Sequence, residues 1–175
     1  KLTCEVHIRY TVSNSSITTT SLSLIDRGSN GGVAGTDVRL ISKTIRSVDI
    51  QGIDNHQVTD ISIGTVGACV DTQHGPIIAI FHQYALFGRG STIHSPAQFE
   101  HFGLSVNDKS SVVGGTQCIR HPEGYIVPLI IQNGLARLKL RPFTDDGFNS
   151  IPMYSSPPKR LVIPHFWIMN QPLIH

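Results

Sequence analysis

An aspartate stands where an alternating strand pattern gives way to glycine. The stretch SLSLIDRGSNGGVAG, residues 21–35, places Asp26 directly after a Ser/Leu alternation and just before a run of glycines that begins at Gly28. A carboxylate at a strand end beside glycine is commonly a turn residue. The arrangement also suits a catalytic loop, because Gly28 lets backbone amides approach the carboxylate and Ser29 can donate a hydrogen bond to it. The local pattern leaves both interpretations open.

Other combinations of reactive residues form weaker patterns. The nine histidines are scattered, without the spacing of a zinc site, so we expect neither a metal nor a cofactor. His94 and His101 lie seven residues apart and could share a face, although hydrogen bonding to the backbone is the commoner role for such histidines. Residues 88–94 lack the P-loop pattern, and no GxSxG elbow is present. Asp71 is interpreted as a residue near a hairpin turn, because Gln73 stands where a second aspartate loop would need glycine.

Composition places the chain among globular proteins. Its 175 residues are 39% hydrophobic with a net charge of +2, which predicts one domain with a real core. The basic residues are scattered and no apolar run reaches the ~18 residues of a membrane helix, so we expect neither a nucleic-acid nor a membrane partner. Because it begins at Lys1, we interpret the chain as a processed product or a piece of something longer.

The cysteines and one sequon bear on the compartment. Cys4, Cys69 and Cys118 are far apart and odd in number, which favours reduced thiols over a full disulfide framework. One bridge with one free thiol is the alternative. Asn14 begins an Asn-Ser-Ser sequon, a glycosylation site only if the protein is secreted.

Alternating β-branched segments dominate the chain and predict an all-β fold of short strands, typical of a barrel or sandwich. Hairpin turns are predicted near His74 and Gly75 and around residues 122–124. The predicted strand segments are residues 4–12, 17–25, 39–53, 59–84, 111–131 and 135–140.

One short helix is predicted in HSPAQFEHFG. Ser95 is a suitable N-cap, Pro96 takes the first helical position, and Gln98 completes a capping box. Gly103 is expected to end the helix.

The amino-acid composition changes after Leu140. The last 35 residues hold six of the ten prolines, with aromatic residues between them. Proline cannot donate to a strand ladder, so this segment is predicted to cover the barrel surface rather than extend the sheet. The domain prediction is a β-barrel over residues 1–140 and a proline-rich tail or linker over 141–175.

The chain resembles a known family in four blocks that occur in the family's order. LIDRGSNGG, residues 24–32, is similar to the active-site motif of retroviral-type aspartic proteases. Residues 48–86 resemble the flap-region hairpins of copia-type retrotransposon proteases, residues 91–108 their capped helix block, and residues 119–140 their closing hairpin with its NGL turn. The motifs DRG, GG and PLxxxNGLxxL together resemble those in polyproteins of copia-like elements from diatoms and other algae.

The resemblance implies a retropepsin-like closed β-barrel with one short helix, active only as a homodimer. Asp26 would be the catalytic residue, and two such carboxylates would share a proton. Gly28 and Ser29 would support the active-site loop, and Asn30 would occupy the place of a polar substrate-binding residue. The substrate would be peptide bonds of the protein's own polyprotein.

Arg27 departs from the family, which has Thr or Ser after the aspartate. That hydroxyl bonds across the dimer, whereas two symmetry-related guanidinium groups would repel each other or pair with Asp26 or another carboxylate. Two hypotheses follow. The first is an active aspartic endopeptidase, in the cytoplasm or a virus-like particle. The second is a catalytically inactive barrel that self-assembles outside the cell as a structural, filament-forming protein.

Overall fold

A computed structural model describes residues 21–52, 56–141, 143 and 145, together with the backbone of residues 160–162. The strand predicted at 4–12, the sequon at Asn14 and most of the proline-rich segment lie outside these residues. The described part is mostly β-strand with one short α-helix, so the all-β prediction is confirmed. Its elements are β1 (Ser21–Ile25), β2 (Val33–Ala34), β3 (Arg39–Gln51), β4 (Gln57–Thr72), β5 (Gly75–Leu86), β6 (Ile93–His94), α1 (Pro96–His101), β7 (Ser105–Asn107), β8 (Cys118–Arg120), β9 (Ile126–Gln132), β10 (Leu135–Leu140) and β11 (Arg160–Val162).

The strands form one curled sheet in the order β3-β4-β5-β2-β6-β1-β10-β9-β8-β7, with β11 beside β5. The prediction of a closed barrel is wrong, because in the described part of the chain this path runs from β3 to β7 without closing. The curl brings β4 over β9 and β10, where Cys69 and Arg141 exchange both backbone hydrogen bonds, at 2.8 and 2.9 Å. One bridged residue pair is not a ladder. The sheet therefore stays open.

The β3–β4 hairpin explains part of this openness. β4 pairs with β5 only from Ile63 onward, so its first residues pair with β3 alone. The hairpin thus projects as a two-stranded arm, and most side chains of β3 are exposed on it. A strand that leaves the sheet in this way cannot meet the far edge and close it.

Elements with strong local signals lie where they were predicted. The β4–β5 hairpin turns at Gln73 and His74, the β8–β9 hairpin turns between Arg120 and Ile126, and β10 matches its predicted bounds. β2, β6 and β7 were missed because two or three residues cannot show an alternation. Residues 160–162 of the proline-rich segment form β11, which pairs in parallel with β5, so there the segment does extend the sheet.

The interior is a single apolar cluster with an aromatic centre. Phe81 and Tyr84 of β5 pack with Phe99 of α1 around the ring of His94, at centroid distances of 4.9 to 6.2 Å. All four side chains are buried. The helix therefore packs against the sheet through the aromatic residues nearest to β6.

Gln73 fastens the β4–β5 turn to the β8–β9 turn. Its side chain accepts from the Ile126 amide at 2.6 Å and donates to the Gly124 carbonyl at 2.7 Å. The sequence showed only that Gln73 is not a catalytic-loop glycine. The structure shows that it imitates a backbone pairing partner between two hairpins.

Cys69 and Cys118 are both free thiols, in agreement with the reduced-thiol interpretation for these two residues. Burial raises the pKa of the Cys69 thiol. Of the residues that the structure describes, none belongs to a helix both long and apolar enough to cross a membrane.

Candidate active site

Asp26 lies at the middle of the sheet, at the end of β1 between β6 and β10. The parallel pairing with β6 continues to the aspartate itself. The amide of Leu24 donates to the Thr92 carbonyl at 2.8 Å, and the amide of Asp26 donates to the His94 carbonyl at 3.0 Å. The backbone that presents the carboxylate is thus held by β6 up to the first residue of the loop.

The two oxygens of the Asp26 carboxylate differ in their surroundings. Oδ1 accepts the Gly28 amide at 2.8 Å, a local turn of the kind Asp commonly forms. Oδ2 has no hydrogen-bond donor among the described residues, and the side chain is half-buried. Ser29 does not donate to Asp26 as the sequence suggested, because its hydroxyl donates to the Gly31 carbonyl at 2.6 Å. The carboxylate is therefore anchored through one oxygen, and the other is open.

The glycines after Asp26 have different roles. A Cβ on Gly32 would lie 2.4 Å from the Tyr84 ring, so the loop can pass over this ring only with glycine there. A Cβ on Gly31 would meet nothing within 4 Å. The Gly32 amide also donates to Oε1 of Gln98 at 2.9 Å. Packing thus requires glycine at position 32 but not at position 31.

The start of α1 supports the loop from below. Ser95 accepts the Gln98 amide, as an N-cap should, and its hydroxyl donates to the Ser29 carbonyl at 2.6 Å. The capping-box prediction is only half right, because the Gln98 side chain binds the Gly32 amide and the His82 carbonyl. The capping residues of the helix are therefore also supports of the aspartate loop.

Arg27 points away from Asp26 and forms an ion cluster with two other acids. Its Nε lies 3.1 and 3.0 Å from the two oxygens of Asp108, and its Nη2 lies 3.2 Å from Oε1 of Glu100 and 3.1 Å from the Val106 carbonyl. The hydrogen bond to Glu100 is the largest influence that raises the pKa of Arg27. The sequence left Arg27 free to pair either with Asp26 or with another carboxylate. In the structure it pairs with two other carboxylates, Glu100 and Asp108.

A chain of buried polar groups runs beneath the loop. Tyr84 Oη lies 2.8 Å from His94 Nδ1, His94 Nε2 lies 2.9 Å from Ser23 Oγ, and Ser23 Oγ donates to the Leu138 carbonyl at 3.0 Å. Burial lowers the pKa of His94 to about 3 and raises that of Tyr84. Sequence reasoning missed this chain. The available signal was an unusual serine and histidine within apolar strand patterns.

The remaining candidates lie apart from this group. Asn30 is exposed on the loop beside Asp26. His101 is exposed at the end of α1 whereas His94 is fully buried, so the two do not share a face. Asp71, at the end of β4, pairs with Lys139 and Arg141 on the surface. Across the described ranges no cluster of three or more His, Cys, Asp or Glu could hold a metal ion.

Comparison with known proteins does not assign the chain to a family. No protein-family model, no curated protein and no solved structure matches it. The geometry of the chain itself is therefore the basis for any functional conclusion.

Proposed function

We propose that this chain is an aspartic endopeptidase of retropepsin type, which acts as a homodimer on peptide bonds of a retrotransposon polyprotein. The observation that carries the proposal is the state of the Asp26 carboxylate. Its Oδ1 is bound by the Gly28 amide at 2.8 Å, and its Oδ2 has no donor among the described residues. An aspartate held in this way has one oxygen available for a second carboxylate or a water molecule.

The supports of the loop strengthen this proposal over a plain turn. A turn needs only the local bond between Gly28 and Asp26. Here the following residues are also bound by Ser95 and Gln98, both from the start of a helix more than sixty residues away. Such fixation suits a group that has to be held in one geometry for chemistry.

The proposed mechanism needs two copies of the chain, because each contributes one matched aspartate. Two carboxylates in contact share one proton, since both cannot ionise at that distance. The ionised carboxylate takes a proton from a water molecule as the water oxygen attacks the peptide carbonyl carbon. The protonated one donates its proton to the carbonyl oxygen, and collapse of the tetrahedral adduct releases the amine after proton transfer to nitrogen.

The ion cluster of Arg27 is compatible with this dimer. In each chain the guanidinium is bound by Glu100 and Asp108, so its positive charge is already paired within one subunit. Arg27 is therefore not an unpaired guanidinium that would have to bind Asp26 or face its own copy across the dimer. We propose that the loop is held within each chain by Arg27 rather than by a hydroxyl shared across the dimer.

The test is cleavage of a peptide library by the full chain at pH 4–6. We expect Asp26→Asn to abolish cleavage, because the amide cannot act as the base. Asp71→Asn is the matched control, since Asp71 is also a strand-end aspartate but pairs with Lys139 and Arg141 on the surface. It should retain cleavage. Cleavage that survives Asp26→Asn, or no cleavage by a verified dimer, refutes the proposal.

A second candidate is a catalytically inactive protein of the same type that self-assembles as a structural element. The exposed β3 edge favours it, because Ile45 is fully exposed and Leu40 is half exposed on a strand with no outer partner in the described part of the chain. Such an edge can pair with another chain. We expect this assembly to sediment as a large species that Ile45→Lys disperses and Asp26→Asn leaves intact. A wild-type chain that stays monomeric or dimeric at high concentration contradicts it.

A further inference from the structure

Three hydrogen bonds join the aspartate loop, residues 26–32, to the segment 94–98. Its other outside contacts are the ion cluster of Arg27 and the Ala85 amide, which donates to the Gly32 carbonyl at 2.9 Å. The His94 carbonyl accepts the Asp26 amide, Ser95 binds the Ser29 carbonyl, and Gln98 binds the Gly32 amide. The position of the Asp26 backbone therefore depends in part on the position of this segment, because the Asp26 amide itself donates to the His94 carbonyl.

The His94 side chain joins this segment to three other strands of the sheet, β5, β1 and β10. Its ring is completely buried, with Tyr84 of β5 on one nitrogen and Ser23 of β1 on the other. Ser23 continues the chain to the Leu138 carbonyl of β10. The hydrogen-bond chain thus connects β5, β6, β1 and β10, and two of these strands, β6 and β1, are the ones that pair up to Asp26.

The donors and acceptors of this chain have one consistent direction. The Ser23 hydroxyl donates its single proton to the Leu138 carbonyl, so it can only accept from His94. His94 Nε2 therefore carries the imidazole proton. Nδ1 of the neutral ring is then an acceptor, and the Tyr84 hydroxyl donates to it. All three side chains are satisfied in this arrangement alone.

Apolar packing would not give the same constraint. A ring that only packed against Phe81 and Phe99 would be held by contacts without direction, which tolerate small shifts of β6 along β1. Buried hydrogen bonds tolerate such shifts poorly, because a displaced donor or acceptor is left without water or partner. The polar chain therefore fixes the register of β6 as well as filling the core.

We propose that His94 is a positioning residue for Asp26. Its imidazole, bound on both sides, holds β6 in the register from which the His94 carbonyl receives the Asp26 amide. Its role in catalysis rests on the proposed function, whereas its role in the position of the loop does not.

The test measures the loop separately from the rest of the fold. Tyr84→Phe removes the donor to Nδ1, and Ser23→Ala removes the acceptor from Nε2. In the 15N-labelled full chain, we expect each change to speed amide exchange at Asp26 and Ser29 about tenfold more than at the core amides of β4 and β5. For Tyr84→Phe we also expect kcat to fall about tenfold while KM stays within about twofold.

Thr65→Val is the matched control. It also deletes a buried hydroxyl bound to an imidazole, 3.0 Å from His82 Nδ1, but neither residue lies on β1 or β6. His82 contacts Gln98 through its backbone carbonyl, which the substitution leaves in place. It should lower protection at Asp26 no more than in the core, and kcat should not change. In the wild-type chain, 15N shifts should show the His94 proton on Nε2, a signature that mere packing does not require.

Two results would overturn the positioning role. One is exchange at Asp26 that rises in Tyr84→Phe and Ser23→Ala only as much as in the core. The other is a His94 proton on Nδ1 in the wild-type chain. If the wild-type dimer cleaves no peptide, the proposed function fails, and the exchange and 15N measurements still decide the role of His94.

Discussion

Acidification should destabilise this fold through one buried histidine. Unfolded His94 has a pKa of 6.5, and burial among Phe81, Tyr84 and Phe99 lowers it to about 3 in the folded chain. Between these two values the unfolded state binds more protons than the folded state. The free energy of unfolding therefore falls as the pH falls through this window, and the contribution of His94 is fully present only above pH 6.5.

The size of the effect follows from the two pKa values. Linkage over the whole window amounts to about 5 kcal/mol, and the part between pH 7 and pH 5 is about 2 kcal/mol. For a chain of this size such a loss corresponds to a decrease in Tm of about 4–8 °C. Protonation would also give Nδ1 a hydrogen, so that Tyr84 could no longer donate to it.

Urea unfolding at pH 7 and pH 5 measures this contribution when wild type is compared with His94→Gln. Other titrating groups affect both proteins alike, so the loss of stability between the two pH values should be about 2 kcal/mol smaller in His94→Gln. His101→Gln, which removes an exposed histidine, should behave as wild type does. An unchanged pH dependence in His94→Gln, or a His94 imidazole that titrates near pH 6.5 in the folded chain, would refute the reasoning.

Three further substitutions test other parts of the structure. Gly32→Ala should lower the free energy of unfolding by about 1–3 kcal/mol, because its Cβ would lie 2.4 Å from the Tyr84 ring. Gly31→Ala should change it by less than about 0.5 kcal/mol, since a Cβ there meets nothing within 4 Å. Equal effects of the two substitutions in urea unfolding would contradict the packing argument. Arg27→Gln should lower the free energy of unfolding by at most about 1 kcal/mol, and this loss should be smaller in high salt because the guanidinium is half exposed. A loss that does not depend on salt would argue against the ion cluster. Gln73→Ala should cost about 1–2 kcal/mol through the two hydrogen bonds between hairpins, and an unaltered urea midpoint would show that these bonds add nothing.

Local signals explain which elements were predictable. The bounds of β10, the turn at Gln73 and His74 and the start of α1 at Pro96 depend on residues near each other in sequence. Alternation, turn residues and an N-cap are visible without knowledge of the partners. The two-residue strand β6 has no such pattern, and only the pairing with β1 defines it.

The candidate site divides in the same way. The sequence identified Asp26 and the glycines beside it, because a strand end followed by glycine is a local pattern. It could not identify His94 as a support, since its partners Tyr84 and Ser23 are 10 and 71 residues distant in sequence. Arg27 was likewise noticed, but its bonds to Glu100 and Asp108 span 73 and 81 residues.

By itself, the amino-acid sequence determined an all-β chain with one capped helix and an aspartate at the end of a strand. These features follow from periodicity and from residues that favour turns and caps. Tertiary structure decided that the sheet of the described residues stays open, that Arg27 binds Glu100 and Asp108, and that a buried histidine joins Tyr84 to Ser23. Each of these depends on which distant strands meet, and the short-range preferences of a chain do not specify that.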